Sequence, residues 1–282
     1  MKPKPIPVWK SPLDPLKALF IRAGMRFPAL FDGYLALRHG QPGHWTYIVY
    51  SDGHAGTTSL HSSLLEQEFR PAFHLHMLCP ENIKTVPHYP RNVPLIYYKA
   101  LVEKKKPMKI ISMVRNPLDR NVSAFFRALG QSGLDSQEMT VEEAVEEFTE
   151  YYEDYEPQNW FATEMKPALG IDVYSRPFPA EKGYIHIKKD NIDLLILRLE
   201  LDNSVRESVL CDFLPADSFN WNRTVNSTQS TSYFPLYKKF REKAVLPRDL
   251  LQKFISIRYA GHFYTPAELD RSLDFWTRAD RT

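Results

Sequence analysis

Short apolar runs, each followed by a polar turn and then an amphipathic stretch, set the pattern of this chain. Tyr47-Ile48-Val49-Tyr50 empties into Ser51-Asp52-Gly53-His54-Ala55-Gly56 and then into Thr57-Thr58-Ser59-Leu60. Lys109 to Val114 runs into Arg115-Asn116-Pro117 and on to Phe126, with Pro117 suited to a first helical position. Such runs predict buried strands, and the stretches behind them predict helices. Pro71 to Leu78 reads as a second strand, and Gly183 to Lys188 and Leu194 to Glu200 as a later pair. Thr140-Val141-Glu142-Glu143 is a capping box that opens a helix with Val141, Ala144, Val145, Phe148 and Tyr152 on one face. The last part predicts helices over Ser232 to Ala244, Pro247 to Tyr259 and Pro266 to Trp276. Ahead of the first strand, residues 1–15 read as a Pro-rich arm and Phe27 to Arg38 as an amphipathic helix closed by Gly40-Gln41-Pro42-Gly43. The chain therefore predicts an N-terminal arm and helix over 1–43 and a single α/β domain over 44–282, with a central, mainly parallel sheet and a helical C-terminal part.

The first turn is a phosphate cradle. Backbone N–H groups of Gly53, His54, Ala55, Gly56 and the helix start converge there, the helix dipole favours negative charge, and Thr57, Thr58 and Ser59 offer hydroxyls. The loop comes close to a P-loop but lacks the Gly-Lys-Ser/Thr ending that holds a triphosphate and its metal, which argues against a triphosphatase. At the second turn, Arg115 brings a planar donor fork and Ser123, two turns into the helix, a hydroxyl toward one tetrahedral anion. Two anion sites on neighbouring strand-to-helix turns suit a ligand with two separated phosphate-type groups.

These residues carry a family resemblance. Gly56-Thr57-Thr58-Ser59-Leu60 resembles the 5′-phosphosulfate loop of sulfotransferases, and Val114-Arg115-Asn116-Pro117 with Ser123, an Arg-to-Ser spacing of eight, resembles their 3′-phosphate motif. Leu195-Ile196-Leu197-Arg198-Leu199-Glu200 is similar to the strand before a short helix in these enzymes. An Asn-rich loop and Gly261-His262-Phe263-Tyr264 look like the capsular-polysaccharide sulfotransferases of bacteria, over roughly residues 44–278. The resemblance implies a P-loop-like three-layer α/β/α fold. It implies 3′-phosphoadenosine 5′-phosphosulfate (PAPS) as co-substrate without a metal, and a carbohydrate or other hydroxyl as acceptor.

One departure is plain. The family commonly places Lys or Arg two residues before the loop Gly, where it neutralises the bridging oxygen, and this chain has His54. Either a protonated His54 does that work or another cation, Lys99 or Lys188, reaches in.

For a general base the best candidates are His74 and His76, which alternation places on the same face of the second strand. Glycan sulfotransferases of the uronyl 2-O type carry a similar His-x-His, which by resemblance puts His76 first and His74 second. The plain alternative is a pair of core histidines. No third ligand at recognisable zinc spacing accompanies them.

The stretch Phe219 to Thr228 looks too polar for core. In the family a loop at this place closes over the nucleotide, which by resemblance makes Arg223 and Asn226 candidates for the 3′-phosphate or adenine and Trp221 a stacking platform. The alternative is a surface loop with Asx turns.

Composition adds little to this. The 282 residues, 43% hydrophobic and 25% charged with a net charge of +2, fit a globular enzyme and lack the basic field that nucleic acid demands. Lys104-Lys105-Lys106 reads as a solvated loop. Cys79 and Cys211 make no disulfide framework, and no apolar run nears the ~18 residues of a membrane span, so a cytoplasmic location is expected. Sequons at Asn121, Asn222 and Asn226 point weakly the other way.

Three functional classes stay open on sequence alone. They are a PAPS-dependent sulfotransferase acting on a carbohydrate hydroxyl, a kinase with a degenerate P-loop, and a non-catalytic nucleotide-binding protein of the same fold.

Overall fold

The computed structural model describes residues 45–85, 92–132, 138–154, 159–221 and 231–278. The Pro-rich arm and the Phe27 to Arg38 helix lie outside them. Thr46–Tyr50 (β1), Ala72–Leu75 (β2), Met108–Val114 (β3), Tyr184–Lys189 (β4) and Ile192–Arg198 (β5) form one sheet in the order β2-β1-β3-β5-β4. β1 runs parallel to β2 and β3, and β3 parallel to β5, while β4 returns antiparallel on the edge. The sheet is thus mostly parallel, as expected, and β1, β3 and β5 are buried along their whole lengths.

Alternation along the strands feeds two cores. Ile48, Tyr50, Ile110, Val114, Leu194 and Ile196 face the larger core. It is packed by Pro117–Ser132 (α4), Val141–Tyr151 (α5) and the C-terminal helices Phe234–Lys243 (α8), Arg248–Ile255 (α9), Arg258–Phe263 (α10) and Pro266–Thr277 (α11). Tyr47, Val49, Ile111, Met113, Leu195 and Leu197 face the smaller core against Thr57–Glu66 (α1) and Asn203–Phe213 (α7). Tyr47, one of two aromatic side chains in β1, meets Phe69 edge-on at 5.3 Å on the smaller side, whereas Tyr50 meets Trp160 at 4.7 Å on the larger. The Thr140–Glu143 capping box forms as the sequence predicts and starts α5.

Several segments differ from expectation. β2 stops at Leu75, so His76 sits just beyond the strand rather than inside it. The helix expected over Pro247 to Tyr259 is two helices, because Ile257 is extended and caps α10, which re-aims Tyr259 toward the end of β3. Phe219 and Trp221, read as part of a polar loop, are buried in the smaller core. Between the strands lie elements that periodicity did not show: Pro80–Thr85 (α2), Asn92–Tyr97 (α3) continuing into a π-helical turn Tyr98–Glu103, and a second π-helical turn Phe161–Met165 leading into Lys166–Leu169 (α6).

A polar network closes the end of the sheet opposite the β1–α1 loop. Lys109 Nζ donates to Asp193 Oδ2 at 2.8 Å and to the Phe213 carbonyl at 2.7 Å, and lies over the rings of Trp45 and Phe213. His186 bonds the other Asp193 oxygen.

Candidate functional site

β1 and β3 are adjacent, but the chain leaves β1 toward β2 on one side and leaves β3 toward β5 on the other. Their following helices, α1 and α4, pack on opposite faces, so the chain switches sides between β1 and β3, the place at which open α/β sheets bind ligands. Ser51, fully buried at the end of β1, ties the two strands together: its Oγ accepts the Met113 N–H at 2.6 Å and lies 3.4 Å from Ser112 Oγ.

The turn that follows is tight. His54 (φ 66°) and Gly56 (φ 76°) both adopt left-handed backbone. At Gly56 only glycine fits comfortably, since a Cβ there would lie 3.0 Å from Leu199 Cδ1 as well as in the unfavourable φ region. Gly56 is the N-cap of α1 with no side-chain cap, and the first turn holds no acidic residue. The first helical bond is Leu60 N–H to the Gly56 carbonyl, which leaves the N–H groups of Thr57, Thr58 and Ser59 without an intrahelical acceptor. Free N–H groups at a helix start are the arrangement that suits an anion.

The three hydroxyls do not act alike. Thr57 Oγ1 is 2.8 Å from His74 Nε2, and Ser59 Oγ donates to the Gly56 carbonyl at 2.9 Å while accepting the Trp221 indole N–H at 3.0 Å. Only Thr58 has no hydrogen-bonded hydroxyl among the described residues. Ser59 therefore spends its proton within the loop, whereas the Thr58 hydroxyl, and the Thr57 hydroxyl where His74 Nε2 is the donor, can still be offered to an anion. Trp221, expected as a stacking platform, is packed beneath the loop with the Arg206 guanidinium 4.8 Å from its ring centroid.

The second turn locks onto the first. Arg115 Nη1 donates to the His54 carbonyl at 3.0 Å, and the Arg115 backbone N–H and carbonyl both bond the Tyr259 hydroxyl at 2.9 Å. Asn116 caps α4 by accepting the Leu118 N–H at 3.0 Å, while its own N–H goes to Glu200 Oε1 at 2.6 Å. Arg120 pairs with Asp52 across the two turns. Arg120, Ser123 and Arg127 are spaced three and four apart on α4 and form one stripe. The fields of Arg120 and Arg127 both reach His54. These two arginines were not picked out from sequence, although the three-then-four spacing around Ser123 was there to be read.

The histidines are brought together. His74 and His76 rings lie 4.7 Å apart and His61 and His74 rings 5.8 Å apart. His76 Nδ1 bonds the Ser51 carbonyl at 2.8 Å, and because a carbonyl only accepts, Nδ1 carries a proton, which in the neutral ring puts the lone pair on Nε2. His74 is held at a pKa of about 3 by burial, then by His76, His61 and Arg127. His54 is held at about 4 by burial, Arg127 and Arg120, against a weaker pull from Asp52. Of the two ways of supplying the missing loop cation, a charged His54 is therefore the one this surrounding disfavours. Arg115, Arg120 and Arg127 bring the positive charge to the loop instead. Lys188 pairs in register with Asp193 at the far end of the sheet and cannot reach in, and Lys99 is exposed on the Tyr98–Glu103 turn. Arg223 and Asn226 lie outside the described residues.

A family profile described as "Putative capsular polysaccharide synthesis protein" matches residues 140–265. The matched stretch runs from the cap of α5 to the cap of α11 and includes β4, β5 and α7, whereas the turns after β1 and β3 precede it. No curated protein matches the chain, and no solved structure does. No helix among the described residues is long and apolar enough to cross a membrane.

Proposed function

We propose that the chain is a PAPS-dependent sulfotransferase of P-loop-like fold that sulfates a hydroxyl of a carbohydrate acceptor. The observation that carries this reading is the Arg115–His54 bond, which joins two anion-binding turns into one crevice suited to a ligand with two phosphate-type groups. The carbohydrate acceptor follows from the description of the family matched over residues 140–265.

In this reading the N–H groups of Thr57, Thr58 and Ser59 and the Thr58 hydroxyl bind the 5′-phosphosulfate, while Arg115 and Ser123, with Arg127, bind the 3′-phosphate. His76 Nε2 takes the proton of the acceptor hydroxyl as its oxygen bonds to sulfur. The bond from sulfur to the phosphate oxygen breaks, and adenosine 3′,5′-bisphosphate leaves. Electrostatic stabilisation carries much of such a transfer, and N–H dipoles fixed by a folded turn supply it without reorganising. His74, neutral and bonded to Thr57, holds the loop rather than the proton.

The test is thermal stabilisation of the purified protein by adenosine 3′,5′-bisphosphate, set against ATP with magnesium, followed by turnover of labelled PAPS on glycan acceptors. A shift with the bisphosphate together with label transfer supports the proposal. A shift without transfer leaves a nucleotide-binding protein, and a shift with ATP alone points to a kinase.

A further inference from the structure

Glu164, on the π-helical turn Phe161–Met165, is 3% exposed. Its Oε1 accepts the Tyr50 hydroxyl at 2.6 Å and the N–H groups of Leu78 and Cys79 at 2.5 and 2.7 Å, and its Oε2 accepts Asn82 Nδ2 at 2.5 Å. These four partners come from elsewhere in the chain. Tyr50 is the last residue of β1 and directly precedes Ser51, whose carbonyl holds the His76 ring. Leu78 and Cys79 follow His76 by two and three residues. Trp160, at the head of the same turn, donates its indole N–H to the His76 carbonyl at 3.0 Å and packs edge-on against Tyr50.

A carboxyl group placed only to cap α2 would need the Leu78 and Cys79 bonds and nothing from β1. Here the chain on both sides of the His76–Ser51 bond is held to one turn, by the Tyr50 hydroxyl on one side and the Leu78 and Cys79 N–H groups on the other, and the carbonyl of His76 itself is held by Trp160. Hydrogen-bond partners that orient an imidazole set which nitrogen carries its proton, and losing them lowers turnover where the imidazole acts as a base.

We infer that Glu164, together with Trp160, is a positioning residue for His76, holding the imidazole against the Ser51 carbonyl with its proton on Nδ1 and its lone pair on Nε2. Its catalytic consequence rests on the reading of His76 as the proton acceptor, whereas the tautomer does not.

The test is imidazole nitrogen NMR of full-length wild type, Glu164→Gln and Trp160→Phe, with His76→Gln to assign the signals, beside steady-state turnover of PAPS. Trp160→Phe keeps an aromatic ring against Tyr50, removes the indole N–H along with part of the ring, and leaves Glu164 in place, so it stays informative if Glu164→Gln does not fold. The expected result is a single Nδ1–H tautomer for His76 in wild type and a mixture in the variants, with a loss of kcat and KM for PAPS unchanged. A His76 tautomer unaltered in the folded variants would overturn the inference. A released imidazole with unaltered kcat would uphold the positioning and remove His76 from the chemistry, a failure of the proposed function and not of this inference.

Discussion

The guanidinium of Arg115 reaches from the second turn to the carbonyl oxygen of His54, 3.0 Å away, so the residue expected to hold one end of the ligand also braces the loop expected to hold the other. Replacing Arg115 by Ala removes both contributions at once. Charge-assisted hydrogen bonds of this kind contribute about 1.5–3 kcal/mol each. Titration calorimetry with adenosine 3′,5′-bisphosphate is expected to show affinity reduced at least tenfold. Unchanged affinity would remove Arg115 from the ligand site.

His76→Asn keeps a side chain of similar breadth and removes the basic nitrogen. General-base catalysis contributes roughly 10²- to 10⁴-fold, so kcat for label transfer should fall by that order. Stabilisation by the bisphosphate should persist, because none of the anion-binding groups is touched.

Gly56→Ala forces a Cβ onto a left-handed backbone and to within 3.0 Å of Leu199. A left-handed L-residue costs about 1–2 kcal/mol, and the crowding adds to it. Urea denaturation should show stability lowered by at least that amount, and bisphosphate affinity should fall with it because the α1 N–H groups move.

The neutral histidines make the fold sensitive to acid. An unfolded histidine titrates near 6.5, whereas folded His54 and His74 wait until about 4 and about 3. Between those values the unfolded chain binds protons that the native one refuses. Stability is then full above about 6.5 and falls on acidification by up to about 1.4 kcal/mol per pH unit for each histidine. Urea midpoints at pH 7 and pH 5 should differ accordingly, and the difference should shrink in a His54→Gln, His74→Gln double variant. Equal slopes in the two proteins would show that other groups govern the acid limb.

Asp193 carries a different dependence. Burial works against its charge, but hydrogen bonds from Lys109 and His186 outweigh it and hold the carboxyl below its ordinary value. Its contribution is therefore present above about 3.9 and disappears only in stronger acid. Asp193→Ala leaves Lys109 buried with one carbonyl and two ring faces, which should cost about 3–5 kcal/mol by chemical denaturation and leave bisphosphate binding intact.

Where the sequence spoke through local rules, the elements were legible. An apolar run, a turn with Gly, a Pro at the first helical position and a Thr-x-x-Glu box located β1, α1, β3, α4 and α5. The site was only partly legible for a physical reason. Whether His54 is charged depends on Arg120 and Arg127, more than 60 residues along the chain, and whether Ser59 has a spare hydroxyl depends on Trp221. The polar neighbours of Trp221 disguised a core residue. Glu164 has nothing near it in sequence to announce its hydrogen-bond partners, the nearest of which, Asn82, is 82 positions away.

The π-helical turn at Phe161–Met165 has a consequence for how this chain can vary in length. A helix turns about 100° with every residue, and a wide turn is one residue more than the regular repeat needs. Deleting any one residue there would let the turn tighten to the ordinary repeat and swing Glu164 away from Tyr50 and Leu78. The residue count of this stretch is held as firmly as its buried side chains, Phe161, Glu164 and Met165.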